Sequence, residues 1–371
     1  MRVDLSTSIA GIELKNPVMP ASGPLVGDDE KILYIERLGV GGIVTKTIST
    51  RAAEVPRPCI GAGTSYAMNA ELWSELPPEK WINEILPRLK KELKVPLIVS
   101  VGYTKEDMEQ LIPELDEFAD AFEVSTHYVG KDLSIIGEIV ATIRKNTSKP
   151  IFMKMSPHIP DRVGFAKVAR DNGANGVVAI NSLGPTLKID PAGRRIVFGG
   201  KDGYVWVSGP YIKPLALAIV YEVSHAVEGI DVIGVGGIAT ADDVVEFLLA
   251  GAKAVQLLSA ALIQGKDIYK RIVDSLPRAL QKYGFSSVRE VIETELSWEV
   301  KYEPDHPVVD LEKCTFCKVC EWVCPYWAIW VDKEAKTVTV DEEKCFGCGL
   351  CQTRCPVNAI SGVMPVEGKW R

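Results

Sequence analysis

The stretch CTFCKVCEWVCP, Cys314 to Pro325, recurs as CFGCGLCQTRCP, Cys345 to Pro356. Both copies read C-x2-C-x2-C-x3-C-P. The first contributes Cys314, Cys317, Cys320 and Cys324, the second Cys345, Cys348, Cys351 and Cys355. This spacing holds two cubane 4Fe–4S clusters, and the fourth cysteine of each run ligates the cluster of the other. Cys314, Cys317, Cys320 and Cys355 are therefore assigned to one cluster, and Cys345, Cys348, Cys351 and Cys324 to the second. Zinc would use paired CxxC motifs with a longer gap, and a disulfide framework would not explain a duplicated run ending in Pro. The C-terminus reads as a ferredoxin-like domain that moves electrons singly.

Outward from that repeat the chain changes character. Of its nine cysteines only Cys59 lies before the first run. The 371 residues are too many for one average domain. Residues 1–300 are expected to form one large domain and residues 301–371 the cluster domain. A net charge of −7 with no basic stripe argues against nucleic acid as a partner. There is no signal-like hydrophobic start and no apolar run long enough to span a bilayer. A cytoplasmic setting is expected, and iron–sulfur clusters suit a reducing compartment.

Within residues 1–300, short β-branched runs alternate with amphipathic stretches. The strand candidates are 18–21, 42–46, 97–101, 121–125, 151–155, 176–181, 232–235 and 254–258. Between them lie helical patterns such as KEDMEQLIPELDEF and ADDVVEFLLAGA. Eight such alternations predict a TIM-type (β/α)8 barrel. An open doubly wound sheet would carry G-x-G-x-x-G after its first strand, which is missing. The segments VDLST and IELKN precede the first strand and are expected to plug the barrel floor.

Barrel chemistry gathers at the C-terminal ends of the strands. There the chain places Ala21-Ser22, Lys46, Ser125-Thr126-His127, Lys154, Asn181-Ser182, Gly236-Gly237 and Ser259-Ala260. The stretch GVGGIATADD, with a helix start just beyond, and Ser208-Gly209 ahead of another helix read as a phosphate site. A phosphate site in a barrel joined to clusters suggests flavin mononucleotide, which converts hydride pairs into single electrons. Lys154, in the apolar strand IFMKM, suits the stabilisation of charge that builds on a reduced flavin. Lys46, in GIVTKTI, is a second lysine of this kind. Trp322, Trp327 and Trp330 are expected to shield the clusters or to form a docking face.

At these residues the chain resembles the dihydroorotate dehydrogenase / dihydropyrimidine dehydrogenase family. The most specific segment is NAELWSE, Asn69 to Glu75, similar to the family's N-x-E-L-x-S-E. NPVMPASGP, TKTIS, KMSP, SGPYIKPLAL and GVGGIATADD add to it. The order of barrel first and cluster domain last looks most like dihydropyrimidine dehydrogenase. The resemblance implies flavin contacts at Ala21, Ser22, Lys46, Lys154, Asn181, Ser208, Gly209, Gly236, Gly237, Ser259 and Ala260. It implies substrate contacts at Asn69, Asn181 and Ser182, where an amide offers donor and acceptor to a cyclic imide. It further implies a homo-oligomer.

One loop departs. The family's N-L-S-C-P, whose cysteine is the acid/base, here reads Glu123-Val124-Ser125-Thr126-His127. Thr126 and His127 are the candidates for the proton, with Lys154 beside the flavin. Glu123 is a candidate substrate contact that would repel an anion such as orotate. The expected activity is an FMN- and iron–sulfur-dependent oxidoreductase acting on a C–C/C=C bond of a cyclic polar molecule, with dihydropyrimidine as the leading substrate. Another ring or enone, or a barrel that only relays electrons, are the alternatives. No nicotinamide fingerprint occurs, so a separate partner is expected, either an FAD/NAD(P)H subunit or a ferredoxin.

Overall fold

The computed structural model describes residues 3–365. Its contacts divide into two units, Met1–Leu296 and Ser297–Arg371.

The first unit is built on eight parallel strands. They are β1 (Val18–Pro20), β2 (Ile43–Val44), β3 (Leu97–Val101), β4 (Ala121–Ser125), β5 (Ile151–Met155), β6 (Gly176–Ala179), β7 (Asp231–Val235) and β8 (Ala254–Leu257). Hydrogen-bonded neighbours follow chain order from β2 to β8, and β8 pairs with β1. Between β1 and β2 the ring is drawn together by Gly41 N–H donating to the Val18 carbonyl at 2.8 Å. This is the expected barrel, with no switch point in the strand order. Every residue of β3, β4 and β5 is buried. Side chains pointing inward fill the barrel, and those pointing outward meet the helices.

The surrounding helices are α1 (Asp29–Arg37), α2 (Leu86–Glu92), α3 (Lys105–Leu115), α4 (Ser134–Asn146), α5 (Arg162–Asp171), α6 (Lys213–Ala226), α7 (Ala241–Leu249) and α8 (Ile268–Lys282). Thr104 with Asp107, and Thr240 with Asp243, close capping boxes at the starts of α3 and α7.

Thr7–Ile9 and Ile12–Leu14 form the expected hairpin. Ile9 and Leu14 are fully buried with Met19, Val44, Ile98, Phe152 and Ile233. Each such side chain contributes about 1.5–3 kcal/mol by leaving water, so the hairpin seals the floor. At the opposite end, a four-stranded antiparallel sheet grows from the loops after β2 and β6. Its order is Leu183–Thr186, Val205–Ser208, Ala67–Asn69, Ile60–Ala62. Sequence patterning did not reveal this sheet.

The second unit holds β9 (Val308–Val309), α9 (Val319–Val323), β10 (Ile329–Asp332), β11 (Thr337–Val340), α10 (Leu350–Arg354) and β12 (Ile360–Ser361). β9 pairs with β12, and β10 with β11. The sequence repeat is also a backbone repeat. Left-handed φ values occur at Phe316, Lys318 and Trp327, and at the equivalent Gly347, Gly349 and Asn358. The small core is Cys320, Ile329, Val331, Cys355, Ala359 and Ile360. The tryptophans do not fill it. Trp322 and Trp327 are 70% and 80% exposed, and Trp330 lies on the outward face of β10, whose Ile329 and Val331 alternate inward.

Candidate active site

A cavity of about 430 Å³ opens at the C-terminal ends of the barrel strands. This lies within the usual size range for small-molecule and cofactor sites. Strand ends bring Ala21, Ser22, Lys46, Lys154, Asn181 and Ser182 to its wall, and the antiparallel sheet adds Asn69, Trp206 and Ser208. Three loops meet at one side of it, carrying Ser208-Gly209, Gly236-Gly237 and Ser259-Ala260. The Ser208 and Ser259 hydroxyls touch at 2.6 Å, tying two of these loops together. Gly236 and Gly237 have φ of 129° and 86°. A Cβ on Gly237 would stand 2.6 Å from Lys213 Cβ, and one on Gly236 2.8 Å from Ala216 Cβ. Only backbone fits there, so amides rather than side chains present themselves to a ligand.

A hydroxyl chain crosses the near wall. Ser22 Oγ lies 3.0 Å from Thr47 Oγ1, which lies 3.0 Å from Ser100 Oγ. Ser22 and Thr47 line the cavity while Ser100 stays behind them.

Both cavity lysines are paired. Lys46 Nζ meets Glu71 Oε2 at 3.1 Å and Glu75 Oε2 at 2.8 Å. Both carboxylates come from NAELWSE, so that segment is held by the lysine it neutralises. Ser74 of the same segment accepts from Trp81 Nε1 at 2.9 Å. Burial opposes ionisation of Glu75, yet the Lys46 hydrogen bond and charge hold its pKa below the ordinary carboxylate value. Lys154 Nζ meets Glu123 Oε1 at 3.0 Å, and Glu123 Oε2 accepts from Gln256 Nε2 at 2.6 Å. Glu123 and Gln256 are wholly buried beneath the cavity rather than on its wall. Glu123 therefore does not stand at a substrate-facing position.

The loop after β4 also differs from expectation. Thr126 is not on the cavity wall, and its Oγ1 accepts from the Tyr128 amide at 3.3 Å. Ser125 and His127 line the cavity instead. Side chains alternate along a strand, so the inward set at the end of β4 is the odd one. His127, at φ 50°, turns the chain there. Its ring lies against Tyr103, with centroids 5.0 Å apart, and Tyr103 meets Trp73 edge-on at 5.5 Å. Surrounding protein, helped by the nearby Lys154 charge, lowers the His127 pKa to about 4, although the ring remains open to the cavity itself. At neutral pH it is an uncharged imidazole. Burial, followed by the Asp107 carboxylate, pushes the Tyr103 phenol up, so it stays a neutral O–H. Tyr103 had no signal in the sequence beyond its position after a strand, while Trp73 and Thr47 lie within NAELWSE and TKTIS, which gave neither of them a role. His158 Nε2 accepts from the Gly184 amide at 3.2 Å and ties the β5 loop to the antiparallel sheet. Cys59 lies 3.9 Å from Glu71 Oε1 outside the cavity.

In the second unit the cysteines sort around two voids. One is lined by Cys345, Cys348, Cys351 and Cys324, the other by Cys314, Cys317, Cys320 and Cys355. These are the two exchanged sets. Among the described residues, no trio of His, Cys, Asp or Glu closes on a single ion. The thiols surround a volume instead, as four iron corners with one thiolate each require. Amides of Phe316, Ala328 and Ala359 donate to the sulfurs of Cys314, Cys324 and Cys355 at 3.4, 3.3 and 3.2 Å. Such bonds tune cluster potentials.

A family profile described as dihydroorotate dehydrogenase matches residues 4–280. The chain belongs to the dihydroorotate dehydrogenase family. A second profile, described as a 4Fe-4S dicluster domain, matches residues 313–359. The chain is 35% identical over 299 residues to the dihydroorotate dehydrogenase B (NAD(+)) catalytic subunit of Pyrococcus abyssi, covering 78% of this chain and 98% of that one. The subunits of the same name from Thermococcus kodakarensis and Methanothermobacter thermautotrophicus are each 34% identical, covering 78% of this chain and 97% of theirs.

As a member of the dihydroorotate dehydrogenase family the protein is a flavin-dependent oxidoreductase acting on a CH–CH bond, with FMN and two 4Fe–4S clusters. The cavity fits the flavin, since its glycine cradle admits backbone where a phosphate needs amides, and a lysine faces the interior. The two four-cysteine voids fit the clusters. Among the described residues, no helix is long and apolar enough to cross a membrane.

Proposed function

We propose that the cavity takes a neutral cyclic imide and that the protein is the catalytic subunit of a dihydropyrimidine dehydrogenase. The observation that carries this reading is charge balance. Lys46 and Lys154 are each engaged by carboxylates, His127 is neutral, and no arginine is among the cavity-lining residues. A carboxylated ring such as dihydroorotate would bring an anion with no free cation to meet it. An uncompensated buried charge costs about 3–5 kcal/mol, more than a hundredfold in affinity. A neutral ring escapes that cost, and Asn69 and Asn181 offer donors and acceptors to its amide edge. The relatives' names favour dihydroorotate as the second reading.

Bound flavin supplies hydride transfer to or from a ring carbon and passes electrons onward singly. The residues around it divide the remaining tasks. Ser208, Gly209, Gly236, Gly237, Ser259 and Ala260 would hold the phosphate. Ala21, Ser22, Lys46, Lys154 and Asn181, on the cavity wall, would hold the flavin ring. Asn69, Asn181 and Ser182 hold the substrate. His127, uncharged and on the wall, accepts and returns the substrate proton, a role Thr126 is not placed to fill. A base with so low a pKa is always ready at neutral pH but supplies little driving force. The eight cysteines of the second unit would hold the two clusters, which would supply one-electron transfer toward a separate protein, an FAD/NAD(P)H subunit or a ferredoxin.

An anaerobic titration tests the reading. Dihydrouracil or dihydrothymine should bleach the flavin rapidly while dihydroorotate does so at least a hundredfold more slowly. Bleaching by dihydroorotate alone would establish the second reading. Bleaching by none of the three, with dithionite still effective, would sink both.

A further inference from the structure

We propose that Glu123 is a charge-balancing residue that holds down the reduction potential of the bound flavin by neutralising Lys154. The inference rests on family membership and on the geometry of the barrel interior, and it is independent of the substrate.

Lys154, on β5, is 8% exposed and lines the cavity. Glu123, on β4, and Gln256, on β8, are fully buried and lie off the cavity wall. The carboxylate therefore stands behind the ammonium as seen from the cavity, with its two oxygens divided between Lys154 at 3.0 Å and Gln256 at 2.6 Å. Among the described residues, Glu123 pairs with no other cation. The arrangement replaces a lone positive charge at the cavity floor with a charge pair. The field of a pair falls off faster with distance than that of a single charge, and in a dry interior the difference is large.

Reduction adds negative charge to a flavin, and a lone lysine beside the ring would stabilise that charge and raise the potential. With Glu123 in place the stabilisation is smaller and the oxidised form is favoured. A lower potential makes the reduced cofactor the stronger donor, which favours hydride delivery to a C=C bond over its removal from CH–CH. Glu123 acts through Lys154 and touches neither flavin nor substrate in this scheme.

The substitution Glu123→Gln removes the charge and keeps the shape. It should fold. Gln256 Oε1 is buried with no hydrogen-bond partner, so its amide can turn to accept from the new Gln amide while the new carbonyl still faces Lys154. The flavin midpoint of the full-length, cluster-replete protein is then measured by anaerobic equilibration with reference dyes, followed through flavin absorbance. The expected result is a shift of at least tenfold toward the reduced form at fixed potential, about 30 mV upward for a two-electron couple. Glu123→Asp, which keeps the charge, should return the midpoint to within threefold of the parent equilibrium. An unchanged or lower midpoint in flavin-loaded Glu123→Gln overturns the proposal. Should that variant not load flavin, Glu123→Asn provides the same reading. If neither neutral variant holds flavin, the role of Glu123 is structural and the proposal falls.

Discussion

His127 has a folded-state pKa of about 4 against an ordinary value of 6.5, through burial first and the Lys154 charge second. The sign of the resulting linkage is definite. The unfolded chain takes up a proton at higher pH than the folded one. The stability this residue allows is fully present above pH 6.5 and is lost as pH falls from 6.5 toward 4. His127→Asn tolerates the left-handed backbone and has no titrating group. The variant should therefore lose less thermal stability than the parent between pH 7 and pH 5, read as Tm at both values. An equal drop in the two proteins would show that the ring is not held neutral. This loop also marks the limit of what the sequence could tell. Lys46, Lys154, Asn181 and Ser182 were legible because strand ends in a barrel face one cavity. Thr126 stands where the family has its catalytic cysteine, but strand alternation turns Ser125 and His127 inward instead. Glu123 was legible as a departure from the family's loop, yet its partner Gln256 lies 133 residues away in the chain and no local pattern joins them.

At the scale of elements, the two cluster loops hold the same backbone with different residues. α9 begins from Lys318 at φ 67°, and α10 from Gly349 at φ 81°. Glycine meets that conformation without strain, while a residue with a Cβ costs about 1 kcal/mol. At position 349 space is also short, since a Cβ would fall 2.5 Å from Met364 Cε. Gly349→Ala should thus destabilise the second unit by about 1–2 kcal/mol, whereas Lys318→Gly should be neutral or stabilising. Lys318 gives up only a 3.6 Å ion pair with Glu321 near the surface, worth little. Bleaching of the cluster absorbance in denaturant measures both. The barrel strands could be read in advance because they are short, mainly apolar runs alternating with helical patterns, and the floor hairpin because its two short segments precede the first of them. The antiparallel sheet at the cavity mouth could not, because its strands are three or four residues long and interrupted by Gly61, Gly184 and Pro185. Such strands are fixed by pairing with distant partners, Ala67–Asn69 against Val205–Ser208, rather than by local preference.

For the molecule as a whole, the decisive question is how the two repeats share their metal. Cys324 belongs by sequence to the first run, yet it lines the void of Cys345, Cys348 and Cys351. Cys355 belongs to the second run and lines the void of Cys314, Cys317 and Cys320. A cluster in each void would tie one repeat to the other, which would help a unit whose apolar core is only a handful of residues to stay folded. Cys324→Ser should weaken or remove the cluster bound by the second run and spare the first. Iron should fall from about eight toward about four per chain, and the remaining reduced-state EPR signal should match that of Cys345→Ser. If each run instead served its own cluster, Cys324→Ser would resemble Cys314→Ser. The flavin cavity is lined wholly by residues of the first unit. Flavin content and substrate bleaching should therefore survive in Cys324→Ser, while turnover with a one-electron acceptor falls. Loss of flavin bleaching along with the cluster would show that the barrel depends on the cluster unit for its own chemistry.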